Sequence, residues 1–374
     1  MPGLYLHIPF CKKACHYCNF HFSTSLKHRE SMTPALLREM ALRRHYLPDT
    51  SLDSVYFGGG TPSLLPVKEI AQLCTAAERL WGIAPGAEIT LEANPDDMSD
   101  QWLNDLKNYT PVNRLSIGIQ SFSEEDLQWM NRAHTATHAR ECLEKALYTG
   151  FDDLTIDLIY GTPTTSDAQW AENLRMAFAY GIPHLSCYCL TVEEGTALHH
   201  FVRKGATESV DDDRAARQLE YLMETSRAAG YEQYEISNFA LPGRHARHNS
   251  SYWTGESYLG IGPAAHSYNG ISRQWNIANN AAYLAGIHDE TPRFEQEILT
   301  PEQRYNEYVM TMLRTHWGCD QARLSILHPK GAAAFVTKAA AFIADGVMEY
   351  IENHYRLTPK GRLLADRIAM EMFV

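Results

Sequence analysis

Cys11, Cys15 and Cys18 are spaced C-x3-C-x2-C, which puts three thiolates on one loop. Three soft ligands suit three irons of a cubane and leave the fourth iron open to a second chelate. A structural zinc would want a fourth Cys or His close by, and His16 and His21 are near enough in sequence to keep that reading open. Gly58, Gly59, Gly60 and Thr61 form the run GGGT. Such glycines either let backbone amides approach a ligand closely or simply turn a strand into a helix. Glu92 and Asp157 lie in short apolar runs where a buried carboxylate needs a partner, and Arg132 is the cation expected to serve one of them. Gln120 is an amide at the end of another such run. His248 sits in HNSSYW, where a histidine beside aromatic rings is more often a satisfied structural residue than a metal ligand. His245 and His266 are read as polar surface residues rather than second ligands. Cys187 and Cys189, two apart in a strand, face one side and are read as buried free thiols. Cys74, Cys142 and Cys319 read as core.

These groups need elements to hold them. Apolar, β-rich runs recur at 4–10, 54–60, 88–95, 114–121, 153–161 and 184–192, with amphipathic segments between them that open on Ser, Thr or Asp and close near Gly. Strand and helix alternating six times imply a parallel sheet with right-handed crossovers. The expected fold class is therefore α/β, a partial (β/α)6 TIM-like barrel, with its chemistry on the loops after the strand ends. The cysteines follow the first run, Gly58–Thr61 the second, Glu92 and Gln120 close the third and fourth, and Asp157 lies in the fifth. The barrel is expected over 1–230, ending on a helix at 211–230, before the Gly-, His- and aromatic-rich cap of 231–300. A small C-terminal, mainly helical, winged-helix-like domain with one hairpin is expected over 301–374.

A chain of 374 residues that is 45% hydrophobic can bury a sizeable core. Its net charge of -12 repels phosphate backbones and no long Lys/Arg run appears, so no nucleic-acid partner is expected. The start of the sequence lacks a secretory pattern and no run of about 18 apolar residues occurs, which reads as cytoplasmic. Eight cysteines then suit metal binding in a reducing compartment better than disulfides.

YLHIPFCKKACHYCNF resembles the radical S-adenosylmethionine (SAM) signature, in the variant found in the coproporphyrinogen oxidase and HemW families. The resemblance continues through GGGTPS, LEANP, IGIQSF, MNRAH, IDLIYGTP and HNSSYW. It implies a 4Fe-4S cluster whose open iron binds SAM and whose electron can cleave it to a 5'-deoxyadenosyl radical. It also implies that Tyr5, Gly59, Gly60, Thr61, Glu92, Gln120, Arg132 and Asp157 line the SAM pocket while Tyr17 flanks the cluster. Substitution of Gly60 by valine is accordingly expected to weaken SAM binding and spare the cluster. The oxygen-independent coproporphyrinogen oxidases carry a fourth cysteine one residue after the third, whereas Asn19 and Phe20 follow Cys18 here. HNSSYW matches the H-N-x-x-Y-W motif of the HemW heme chaperones, which implies heme on His248. The function expected from the resemblance is heme binding and delivery to acceptor apoproteins, membrane-associated ones included. An electron donor such as flavodoxin or ferredoxin and a homodimer go with it. The alternative is oxidative decarboxylation of coproporphyrinogen III.

Overall fold

The computed structural model describes residues 2–48 and 50–374. The six apolar runs form β1 (Gly3–Ile8), β2 (Leu52–Gly59), β3 (Ile83–Ala93), β4 (Arg114–Gln120), β5 (Leu154–Tyr160) and β6 (His184–Cys189). They pair in parallel and in chain order, with Tyr5 opposite Tyr56, Leu91 opposite Leu115 and Asp157 opposite Ser186. Both faces of this sheet are covered. Leu4, Leu6 and Ile8 on one face of β1 join the main apolar core, and Tyr5 and His7 stand on the other. Three of the crossover helices are capped as their sequences predict. Ser99, Thr135 and Ser166 accept from the backbone N–H of Trp102, His138 and Gln169, each cap contributing about 1 kcal/mol.

The sheet does not stop at the sixth strand. β7 (Glu232–Gln233), β8 (Asn238–Ala240), β9 (Tyr258–Ile261), β10 (His266–Tyr268), β11 (Ser272–Asn276) and β12 (Phe294–Ile298) extend it to the order β12-β11-β10-β9-β1-β2-β3-β4-β5-β6-β8-β7. Residues 231–300 therefore lie along both edges of the sheet. The reason is the unpaired backbone of β1 and β6, which β9 satisfies in parallel and β8 in antiparallel. The C-terminal residues build a second apolar core around the helix Pro301–Leu313 and a small sheet of β13 (Cys319–Asp320), β14 (Met348–Ile351) and β15 (His354–Leu357).

One buried carboxylate ties the flanking strands to the barrel. Glu39, on the helix Arg29–Leu42, is fully buried and accepts from Gly262 N–H at 2.8 Å, Tyr283 OH at 2.6 Å and Asn276 Nδ2 at 2.7 Å. Arg43 lies 3.5 Å away. Replacing Glu39 by alanine leaves these donors and a buried guanidinium unmatched, and is expected to cost about 3–5 kcal/mol. Urea denaturation measures it, and a loss below about 1 kcal/mol would show that the donors find other acceptors.

Candidate functional site

The loop that follows β1 is held from several sides. Cys11 N–H donates to Ser23 O at 3.1 Å and Ser23 N–H to Pro9 O at 2.9 Å, which closes the loop on itself. Lys12 pairs with Asp96 at 2.7 Å and also with Asp97, both on the turn after β3. His16 N–H donates to Met130 O, and Asn131 Nδ2 to Ala14 O, fastening the loop to the segment after β4. Cys11, Cys15 and Cys18 are all partly exposed on a cavity of about 430 Å³. Gly59, Gly60, Thr61, Glu92, Gln120, Arg132, Asp157 and Tyr17 line the same cavity. Among the described residues no three His, Cys, Asp or Glu side chains gather closely enough to hold a single metal ion. His16 offers Nδ1 to Trp129 O at 2.8 Å, and His21 offers Nε2 to Asn280 Oδ1 at 2.8 Å.

A hydrogen-bonded arc links two of the cysteines across the strand ends. Thr61 Oγ1 donates to Cys11 Sγ at 3.4 Å and accepts from Asn94 Nδ2 at 3.1 Å. Asn94 Oδ1 accepts from Arg132 Nη2 at 2.7 Å, and Arg132 Nη1 reaches Cys15 Sγ at 3.4 Å. Arg132 also donates to Gly118 O at 2.8 Å. The hydrogen bonds of Arg132 go to Asn94, Gly118 and a thiol rather than to Glu92 or Asp157, and it serves Asp157 through its charge. Among the described residues its buried Nε has no hydrogen-bond partner. Asn94 was not singled out from the sequence, although an Asn before Pro at a strand end is a signal for such a polar corner.

Beneath the rim lie two buried acids. Glu92 accepts from Tyr56 OH at 2.8 Å and from Gly59 N–H at 3.2 Å. Burial pushes its carboxyl up to about 8, with the Asp157 charge adding to the shift against those two donors. Burial likewise pushes Asp157 up to about 7, against a hydrogen bond from Ser186 and the charge of Arg132. Burial also raises the Cys11 thiol to about 11 and moves Cys18 the same way. Gln120 ends β4 at φ 64°, beside a break in the β4–β5 register, and this left-handed backbone turns its amide toward the cavity wall. Two buried acids, an unpartnered guanidinium nitrogen and three thiols on one loop suit a soft metal cluster beside a cationic organic ligand.

Two expected site residues lie elsewhere. Tyr5 is stacked with Tyr56 at 6.0 Å and with His248 at 6.4 Å, its hydroxyl 3.3 Å from His7 Nδ1, so it sits below the cavity wall. His248 is at the opposite end of the strands from the cysteines. It lies beside Gly3 and Ser54, near the starts of β1 and β2. Its Nδ1 is 2.8 Å from Ser54 Oγ and its Nε2 is 2.8 Å from Tyr252 OH, while its N–H donates to Glu88 at 3.0 Å. Both ring nitrogens are engaged, so neither has a lone pair free for iron in this conformation. Trp253 of the same motif lies under the Arg314 guanidinium, 5.8 Å away, joining the barrel floor to the C-terminal unit. His266 is exposed against Trp275, whereas His245 is half-buried and stacked on Tyr234 at 4.3 Å. Cys187 is buried and Cys189 is exposed at its strand's end.

Comparison with known proteins follows the same outline. Residues 5–186 match the Radical SAM superfamily and residues 299–364 match the HemN C-terminal domain. The chain is 36% identical to the heme chaperone HemW of Mycobacterium tuberculosis over 98% of this chain and 93% of the relative. It is 30% identical to the heme chaperone HemW of Bacillus subtilis over 98% of each. The coproporphyrinogen III oxidase HemN of Escherichia coli shares its fold, with a TM-score of 0.85 at 22% identity, covering 100% of this chain and 90% of that one. With near-full-length likeness to HemW at this identity and the radical SAM match over the strands that carry the three-cysteine loop, the chain belongs to the HemW family of radical SAM proteins.

Proposed function

We propose that this chain is a heme chaperone that holds a 4Fe-4S cluster on Cys11, Cys15 and Cys18 and binds SAM against Gly59, Gly60, Thr61, Glu92, Gln120, Arg132 and Asp157. Membership of the radical SAM superfamily implies the cluster and SAM. The observation that carries their assignment to these residues is the single cavity lined by three thiols and two buried acids. The near-full-length likeness to proteins named heme chaperone HemW supports heme and acceptor apoproteins as its cargo and clients. No described helix is long and apolar enough to cross a membrane, and we place the protein in the cytoplasm. An electron donor such as flavodoxin or ferredoxin, and a homodimer, belong to the same reading.

When bound, the cluster supplies one electron to the SAM sulfonium. The thiolates hold iron, and the donors on Cys11 and Cys15 partly neutralise sulfur charge. Glu92 and Asp157 balance the positive charge of SAM, while Arg132 supplies a free donor on the rim. Paired assays on one anaerobic sample test the whole reading: hemin uptake followed by its Soret band, and turnover of coproporphyrinogen with SAM. Uptake without turnover is expected. Turnover without uptake would overturn the chaperone reading.

The acids also predict a pH dependence. A cation binds the ionised carboxyls, so SAM affinity is expected to rise from about pH 6 to about pH 8.5 as Asp157 and then Glu92 lose their protons, by up to about tenfold per unit for each proton released. Without SAM the sign for folding is opposite. The raised carboxyls favour the folded state fully at acid pH, and that contribution is lost as pH climbs through about 7 and 8. Equilibrium SAM binding across this range checks the first effect, and an affinity that stays flat would remove both acids from the ligand's charge balance.

A further inference from the structure

The hydrogen-bonded arc from Cys11 to Cys15 has a direction, and Asn94 carries it. Arg132 has only donors, so the atom of the Asn94 amide that meets Arg132 Nη2 at 2.7 Å is its oxygen, Oδ1. The amide nitrogen is thereby turned to Thr61, where Nδ2 donates to Oγ1 at 3.1 Å. A hydroxyl that accepts this bond keeps its one proton for another acceptor, and Cys11 Sγ lies 3.4 Å away. The same guanidinium sends Nη1 to Cys15 Sγ at 3.4 Å. Asn94 therefore joins the two side-chain bonds to sulfur.

Asn94 is fixed from several sides. It precedes Pro95, which confines its backbone to the extended region, and it sits there at φ -94° and ψ 143°. Its N–H donates to Ser63 Oγ at 3.2 Å, and that hydroxyl donates in turn to Asp97 at 2.7 Å. Gly118 leaves room on the far side, since a Cβ there would lie 3.0 Å from Arg132 Nη2 and 3.4 Å from Asn94 Oδ1. Arg132 Nη2 also donates to Gly118 O at 2.8 Å, so the guanidinium cannot swing away without losing two bonds. Thr61 is buried at 2% exposure, which keeps water from competing for its hydroxyl.

We infer that Asn94 is a positioning residue: it aims Thr61 at Cys11 and steadies Arg132 against Cys15, and through them raises the reduction potential of a cluster held on these thiols. The inference rests on the radical SAM reading and adds a residue to it. An electron entering a cluster increases the negative charge that its thiolate sulfurs share. A donor on sulfur therefore stabilises the reduced form more than the oxidised one. The third thiol, Cys18, meets the backbone of Phe20 instead, so the side-chain donors under the control of Asn94 are those on the other two.

The test is a potentiometric titration of the anaerobic, cluster-containing full chain without SAM, with dithionite as reductant and electron paramagnetic resonance reporting the reduced cluster. Asn94→Leu keeps the side-chain volume and removes both polar atoms. It is expected to make the cluster about tenfold harder to reduce, about 59 mV more negative for one electron, with iron content unchanged. Thr61→Val is expected to shift the potential the same way, and Thr61→Ser, which keeps the hydroxyl, to match the wild type. In a Thr61→Val background Asn94→Leu should add less than it does alone, because one of its two targets is already gone; full additivity overturns the inference. If the wild-type chain takes up no cluster, the radical SAM reading itself fails. If the cluster is present and Asn94→Leu leaves its potential in place, Asn94 has no such role. Should Asn94→Leu not hold the cluster, the Thr61 pair decides, since equal potentials for Thr61→Val and Thr61→Ser would leave no hydroxyl bond at Cys11 for Asn94 to aim.

Discussion

Alanine at Cys11, Cys15 or Cys18 is expected to abolish the cluster. The wild-type chain, reconstituted without oxygen, should carry about four irons and four sulfides, and each variant should lose the charge-transfer absorption almost completely. The loop explains why no single cysteine is dispensable. In the proposed site each thiol would hold one iron, and the loop's anchors at Ser23, Asp96, Met130 and Asn131 hold the three thiols in one geometry. Cys189 lines the same cavity but ends β6 and belongs to another wall. Cys74→Ala is the control, since that thiol is buried in the core away from the loop. A normal iron content after any of the first three changes would sink the assignment.

Gly60→Val is expected to remove the cluster along with SAM binding. A Cβ at Gly60 would lie 2.7 Å from Phe10 O, 2.8 Å from Phe10 N and 2.9 Å from Ile8 O, all backbone atoms that cannot swing aside. Phe10 immediately precedes Cys11, and Gly60 N–H itself donates to Ile8 O at 2.9 Å. A branched side chain therefore pushes the root of the cysteine loop outward. This corrects the expectation that Gly60 acts on SAM alone. Asp157→Ala should differ, weakening SAM by about tenfold or more with iron content retained, because Asp157 is on β5 and the groups acting on its carboxyl are Ser186 and Arg132. Iron analysis beside equilibrium SAM binding separates the two variants. A Gly60→Val protein with full iron and weakened SAM would restore the simpler role.

Much of this was legible in the residues. The six parallel strands announced themselves as short β-rich runs separated by capped amphipathic segments, because period and capping are local properties of the chain. The three-cysteine spacing is local too, and so was the glycine run that closes against it. The flanking strands were harder. NFA and YLGI are too short to carry a period, and they are strands only because β6 and β1 would otherwise present bare edges.

The alternation of strand and helix, the loop that carries the thiols and the apolar runs around Glu92 and Asp157 each depend on residues near one another along the chain. Which distant groups satisfy which depends on packing. Arg132 turned from the acids to Asn94, 38 residues away, and Cys15, 117 residues away. His248 went to the barrel floor, where Glu88 from 160 residues earlier takes its N–H and Ser54 and Tyr252 occupy its ring. His316 has no motif to mark it, and among the described residues its buried Nε2 has no hydrogen-bond partner. Partners for buried polar groups are settled by what packing brings within about 3 Å, and that distance has no counterpart in sequence spacing.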